Sequence, residues 1–105
     1  MTMVIVQGVF VLKPEDREGF LAASLDSISR SRAEDGCLEY VMAADPVDAG
    51  RVVLSERWAS PEHLEAHLAN ITAQRADSGG QAAGRPAPIS HEITLFDVAG
   101  SRSLG

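Results

Sequence analysis

A junction between a strand and a helix, Ser55–His67, constrains the fold more than any other segment of this chain. The residues Arg51–Trp58 predict a strand that ends at the only tryptophan. Ser60 suits the N-cap position and Pro61 the first helical position, so a helix is predicted from there to about Arg75. The short turn between the two elements predicts that the strand end and the inner side of the helix lie close together.

The rest of the chain predicts three more strands and one more helix. The strands are Met3–Leu12, Cys37–Ala44 and Ile89–Val98, and the helix runs from about Glu15 to Arg32 with an inward stripe of Phe20, Leu21, Ser24, Leu25 and Ile28. The resulting order is β-α-β-β-α-β, an α+β ferredoxin-like fold with a four-stranded antiparallel sheet. One domain over residues 1–105 is expected, with a core of about 3–98 and a loose tail at 99–105. The glycine- and proline-containing stretch Ala76–Pro88 predicts a mobile loop.

The first strand is apolar on both of its faces. Residues such as Val4 and Val6 alternate with Ile5 and Val9, so neither side carries the polar residues of a wet sheet face. Two helices cover only one face of a sheet, so the other face needs a different cover. The simplest cover is the same face of a second copy, which predicts a homodimer.

Composition excludes several classes of partner and compartment. The net charge is −6 and no basic cluster is present, so nucleic acids and anionic membranes are poor partners. Cys37 is the only cysteine, which fits a reducing cytoplasm. The apolar stretch Met3–Leu12 lacks the basic leader of a signal peptide and is shorter than the roughly 20 residues of a membrane helix. A cytoplasmic protein that binds a small molecule or another protein is expected.

Four residues near the junction are candidates for chemistry. His67 falls on the inner helical stripe with Leu64, Leu68 and Ile71, and an imidazole exchanges protons near neutral pH, which makes it the best general base. Glu56 shares a strand face with Trp58 and is placed to orient His67, while Trp58 offers a flat wall to an aromatic ring and Tyr40 a hydroxyl to a substrate oxygen. Each has a structural alternative: a core-edge histidine, a buried ion pair, a core anchor and an aromatic filler. Asn70 and His91 are weaker candidates.

A metal site is rejected from the spacing of the histidines. His63 and His67 are four residues apart on one helix, but Leu64 stands where the zinc-protease motif has its glutamate. A third ligand would have to come from Glu56 or His91, and no Cys/His cluster supports that. We therefore expect no metal, and place His63 among the substrate-binding candidates.

Three motifs resemble the antibiotic-biosynthesis monooxygenase family of the dimeric α/β-barrel superfamily. They are Glu34–Tyr40, Ser55–Trp58 and His63–Leu68, and their order and spacing match over nearly the whole chain. The resemblance implies a dimer of ferredoxin-like units, each with a cleft between its sheet and its helices. It also implies chemistry without metal or flavin, since in known oxygenases of this type a deprotonated phenolic or anthrone substrate itself reduces dioxygen.

Carried onto this sequence, Trp58 and His67 match family positions at the cleft, and Glu56 and Tyr40 match positions around it. The expected function is a cofactor-independent monooxygenase that oxidises an aromatic or quinol-like metabolite. Two alternatives stay open: a small-molecule binding dimer without turnover, and an isomerase or other proton-transfer enzyme that uses the same cleft.

Overall fold

The computed structural model describes residues 2–77 and 85–105. Within these ranges the chain forms, in order, β1 (Val4–Val11), α1 (Pro14–Arg32), β2 (Cys37–Ala44), β3 (Arg51–Trp58), α2 (Pro61–Asp77) and β4 (Ser90–Asp97). The predicted β-α-β-β-α-β order is confirmed. The helix α2 runs two residues further than predicted, and residues 78–84 of the predicted loop lie outside the described residues.

The four strands form one antiparallel sheet in the order β2-β3-β1-β4. The two central strands are β1 and β3, each of which is hydrogen-bonded to a strand on either side. This order is the ferredoxin-like arrangement, so the predicted fold class is confirmed. A β-bulge between Cys37 and Glu39 shifts the register where β2 begins.

Both helices begin where the sequence predicts. Pro14 and Pro61 occupy the first helical positions, and the Ser60 hydroxyl accepts a hydrogen bond from the His63 amide at 3.2 Å. This bond satisfies one of the amides that a helix start leaves without a partner.

The inward stripe of α1 differs from the predicted stripe at three positions: Leu21 is only partly buried, Leu25 is exposed, and Ser31 is buried although it was not predicted. Its buried residues are Phe20, Ser24, Ile28 and Ser31, whereas Leu25 is 63% exposed. The hydroxyls of Ser24 and Ser31 donate to carbonyl oxygens four residues earlier, which removes the penalty of burying them. The helix therefore turns its serine edge inward and Leu25 outward.

The core lies between the helices and one face of the sheet. It contains Val4 and Val6 of β1, Leu54 and Trp58 of β3, and Leu64 of α2. A second cluster of Leu12, Phe20 and Val52 continues it under α1. Leu68, predicted on the inner stripe of α2, is 52% exposed because the buried edge of this helix follows Leu64 and His67 instead.

In the described part of the chain, the strand β4 has exposed side chains on both of its faces. On the helix-facing side Ile93 and Leu95 are 48% and 49% exposed, and on the opposite side Phe96 is 46% exposed. The helices thus cover β2, β3 and β1 but stop short of β4. Among the described residues, neither helix has the length and apolarity that a membrane crossing demands.

Candidate functional site

His67 lies in the core and is hydrogen-bonded to a carboxylate from another part of the chain. Its side chain is 1% exposed, and its Nδ1 lies 2.5 Å from Oε2 of Glu34. The other oxygen of Glu34, Oε1, accepts a hydrogen bond from Asn70 Nδ2 at 2.5 Å. Asn70 follows His67 by three residues on α2, so one face of the helix presents both groups to the same carboxylate.

The turn between α1 and β2 positions Glu34. Its amide donates to the Ser31 carbonyl at 3.1 Å, and its carbonyl accepts from the Cys37 amide at 3.2 Å. Gly36 follows with φ of 79°, a conformation that residues with a Cβ avoid. The Gly36 carbonyl accepts from the Ala59 amide at 2.8 Å, which fixes this turn against the junction between β3 and α2.

On the other side of His67 stand Glu56 and Trp58. Oε1 of Glu56 accepts a hydrogen bond from Trp58 Nε1 at 2.9 Å and lies 3.8 Å from His67 Nε2, beyond hydrogen-bond distance. The indole has no exposed surface and packs on the imidazole with ring centroids 4.5 Å apart. Burial raises the pKa of Glu56, and the Trp58 hydrogen bond and the nearby His67 oppose that rise.

Tyr40 completes the buried group. Its ring centroid lies 5.5 Å from that of His67. Burial, and secondly the charge of Glu56, raise the pKa of Tyr40 to about 12, against the smaller lowering effects of a hydrogen bond with Ser31 and of the Arg85 charge. The phenol therefore stays protonated at neutral pH and can donate a hydrogen bond.

Four of the six predicted site residues thus meet in one cluster: His67, Glu56, Trp58 and Tyr40. The sequence analysis missed two further residues, Glu34 and Arg85. Glu34 bonds His67 directly, whereas the sequence assigned that place to Glu56. Arg85 places its guanidinium 4.4 Å from the Phe20 ring centroid, and burial lowers its pKa. The predicted candidate His91 lies apart from the cluster on β4, where its ring faces Phe10 with centroids 6.2 Å apart.

The two remaining predicted residues, His63 and Asn70, line a surface groove of about 330 Å³. His67 also lines this groove, together with Glu34, Asp35, Glu62 and Ala66. Trp58, Glu56 and Tyr40 do not border it. The indole and the imidazole are in contact, with centroids 4.5 Å apart, so within the described residues no cavity lies between the two rings.

His63 makes a contact pattern that superficially matches a serine-hydrolase triad. Its Nδ1 lies 2.7 Å from the Ser60 hydroxyl, and its Nε2 lies 3.3 Å from Oδ2 of Asp35. The Ser60 hydroxyl caps α2, because its oxygen accepts a hydrogen bond from the His63 amide. This group is a helix cap. Across residues 2–77 and 85–105, no three His, Cys, Asp or Glu side chains are grouped to hold a metal ion.

Comparison with known proteins assigns the family. The model of the antibiotic biosynthesis monooxygenase family matches residues 3–77, from β1 to the end of α2, and the chain belongs to this family. The resemblance stated from the three motifs is thereby confirmed.

The chain is also similar to individual proteins. The chain is 29% identical to the "putative monooxygenase YcnE" of Bacillus subtilis over 65 residues, which cover 62% of this chain and 68% of that one. Rv0793 of Mycobacterium tuberculosis is 29% identical with a TM-score of 0.70 over 96% of this chain and 99% of that one. A Deinococcus radiodurans structure described as a putative antibiotic biosynthesis monooxygenase has a TM-score of 0.77 over 97% and 98% of the two chains; at 21% identity it shows the fold alone.

Proposed function

We propose that this protein is a cofactor-independent monooxygenase that oxidises an aromatic, quinol-like or anthrone-like metabolite, with His67 as general base. The observation that carries the proposal is the buried imidazole with a carboxylate facing each of its nitrogens. A carboxylate bonded to one ring nitrogen orients the imidazole, and an oriented imidazole is the side chain most often used as a general base. Family membership supports the monooxygenase class.

The proposed reaction starts with transfer of a substrate proton to His67. The resulting carbanion or phenolate gives one electron to dioxygen, which avoids the spin-forbidden direct reaction. The substrate radical and superoxide then combine to a peroxide anion, which takes the proton back from His67 and becomes a hydroperoxide. Loss of water then leaves a carbonyl group. For an anthrone the balance is one CH₂ group and one O₂ giving one C=O group and one H₂O, so no external reductant is needed.

The neighbours of His67 have distinct parts in this proposal. Tyr40 remains a phenol at neutral pH and donates a hydrogen bond to the developing oxyanion. Arg85, whose positive charge acts on Tyr40, offsets the negative charge of the substrate anion. Trp58 has its ring against His67 and holds the imidazole in place from behind.

The substrate is proposed to enter between α2 and the sheet. The helix-facing surface of β4 is open there, and Ile93 and Leu95 offer half-exposed apolar contacts to an aromatic ring. On this face, Val6 of β1 is paired with Leu95 of β4 on one side and with Glu56 of β3 on the other. A ring that rests on β4 therefore lies beside the strands that carry the buried cluster. The groove beside His63 and Asn70 lies on the Glu34 side of His67 instead.

A homodimer is the second part of the proposal. The sheet face away from the helices carries half-buried apolar side chains next to the exposed Phe96, namely Ile5, Val9, Val41 and Val53. Apolar surface of this kind is covered by association in soluble proteins. A second copy meets the same face with the same residues, which satisfies two-fold symmetry. A monomeric mass in light scattering at micromolar concentration would remove this part.

The test uses dithranol, an anthrone, in an oxygen-electrode assay with enzyme-free solution as background. We expect oxygen uptake with heavy-oxygen label in the product carbonyl, and a kcat about 10²–10⁴-fold lower in His67→Ala and in the volume-preserving His67→Gln. The neighbouring exposed Leu68→Ala is the matched control and should keep its activity. Oxygen uptake that persists at the wild-type rate in both His67 variants would show that His67 is not the general base.

One other candidate is a binding protein without turnover, which is favoured by the burial of the proposed base, since the His67 side chain is 1% exposed. Because the indole and the imidazole fill the space between them, the cluster also fits a stabilising core. Product formation in excess of the protein concentration excludes this candidate. Its absence for dithranol, together with reversible binding of that compound, would establish it.

A further inference from the structure

We infer that Glu34 is the residue that fixes the tautomer of His67, and that Nε2 is therefore the atom that accepts the substrate proton. The catalytic consequence rests on the function proposed above, but the tautomer itself does not. The inference starts from the 2.5 Å separation of Nδ1 and Oε2. A bare nitrogen lone pair and a carboxylate oxygen repel at that distance, so a proton lies between them, and it belongs to Nδ1 because the carboxylate is an acceptor.

The surroundings of Glu34 make this arrangement stable. Asn70 donates to Oε1, so each carboxylate oxygen has its own donor and the group cannot rotate freely. The turn that carries Glu34 is bonded to Ser31, to Cys37 and, through Gly36, to Ala59. Glu34 is thus held by the backbone at one end and by two side chains of α2 at the other.

Within residues 2–77 and 85–105, no group forms a hydrogen bond with the second nitrogen. Nε2 lies 3.8 Å from Oε1 of Glu56, and that oxygen already accepts from Trp58. With Nδ1 occupied, Nε2 is the nitrogen with a free lone pair, and it points towards the sheet. The proton-accepting edge of His67 consequently faces Glu56 and not the groove beside Asn70. Glu34 is a positioning residue, since it acts on the substrate only through His67.

A glutamine at this position gives a sharp test. Asn70 donates to the oxygen of residue 34, so in Glu34→Gln the amide oxygen stays on Asn70 and the NH₂ group turns to His67. That NH₂ needs an acceptor, which forces a bare Nδ1 and moves the proton to Nε2. In the double variant Glu34→Gln/Asn70→Ala the amide is free to flip, and its oxygen can again accept from Nδ1.

The measurement is heteronuclear NMR of the imidazole nitrogens at neutral pH, with the His67 signals assigned from their loss in His67→Gln. We expect a protonated Nδ1 and a bare Nε2 in the wild type, the reverse in Glu34→Gln, and at least partial return in the double variant. The charge-matched control Glu65→Gln, an exposed residue of the same helix, should leave the signals unchanged. A wild-type signal with a bare Nδ1, or with both nitrogens protonated, overturns the inference, as does a Glu34→Gln spectrum like that of the wild type.

Activity towards dithranol separates this inference from the proposed function. Glu34→Gln should lower kcat by about 10²-fold or more with KM changed less than about threefold, since the base is lost while the binding surface remains. Full activity in Glu34→Gln overturns the positioning role while the role of His67 stands. If the wild type does not turn over, the proposed function fails, and the NMR result still decides the tautomer.

Discussion

The Gly36→Ala substitution tests whether the turn that carries Glu34 is as tightly packed as the structure shows. A Cβ at residue 36 would lie 2.7 Å from Cβ of His63, and closer still to the ring atoms Cγ and Cδ2. His63 cannot turn away cheaply, because its Nδ1 is bonded to the buried Ser60 hydroxyl. The positive φ of residue 36 adds backbone strain to this overlap.

The two effects have comparable size. A residue with a Cβ in the left-handed region costs roughly 1–2 kcal/mol, and forcing an extra methyl group into a packed site costs about 1–3 kcal/mol. Gly36→Ala should therefore lower the free energy of unfolding by about 2–5 kcal/mol. Only the second part depends on His63, so His63→Ala in the same chain should recover about 1–3 kcal/mol of the loss.

The assay is urea unfolding of the wild type, both single variants and the double variant, followed by the fluorescence of Trp58. This is the only tryptophan and it is fully buried, so its emission reports the core directly. Gly100→Ala is the control, because a Cβ there meets no atom within 4 Å. A Gly36→Ala variant as stable as the control would refute the geometry of the turn. A double variant whose loss equals the sum of the two single losses would refute the overlap with His63.

Three further predictions concern charge and assembly. Glu56→Gln should be more stable than the wild type at neutral pH. Burial raises the pKa of Glu56, so the stability of the wild type is unaffected by this group below its usual pKa of 4.5 and falls as pH rises through the raised pKa. Urea unfolding from about pH 4 to about pH 8 measures this, and a pH-independent difference would contradict it. Tyr40 is the only tyrosine, so ultraviolet titration should give a tyrosinate midpoint of about 12 in the folded protein, with stability falling as pH rises from 10 to that value; a midpoint near 10 while the fold persists would argue against the burial. Phe96→Asp should weaken the proposed dimer on the order of 10²-fold or more in light scattering, since each of two copies loses about 1.5–3 kcal/mol of apolar burial, whereas Leu104→Asp in the exposed tail should not.

Local signals explain why most of the fold was predictable. The Ser60 cap, the two helix-starting prolines and the strand alternation that places Glu56 beside Trp58 each act over a few residues. Such short-range rules determine where an element begins and which face it buries. Ser24 was placed correctly on the inward stripe of α1, but Leu25 was placed there for its hydrophobicity and is exposed. Ser31 was not predicted to be buried, and the hydrogen bond of its hydroxyl to the Ser27 carbonyl is what makes its burial possible.

The candidate site was predictable only in part, for a different reason. Glu34 and His67 are separated by 33 residues, and no periodicity links a turn after α1 to the middle of α2. The one local signal was the Glu34-Asp35-Gly36 sequence, which predicts a turn but not what its carboxylate will contact. Glu56 was favoured because it shares a strand face with Trp58, and that shared face is the reason its oxygen is bonded to the indole and not to the imidazole.

The two carboxylates around His67 therefore differ in kind. Glu34 has 19% of its side chain exposed and accepts hydrogen bonds from two donors, so its charge costs little stability. Glu56 has a 7% exposed side chain, and in the part of the chain that the structure describes the indole N–H is its only hydrogen-bond donor, so its ionised form lowers stability. Buried carboxylates of this kind are found at functional sites. Here the Glu56 carboxylate faces His67 Nε2, the nitrogen that we infer accepts the proton. Glu56→Gln should consequently raise stability and lower turnover together. A variant that gains stability and keeps full activity would show that the Glu56 charge plays no part in the chemistry of His67.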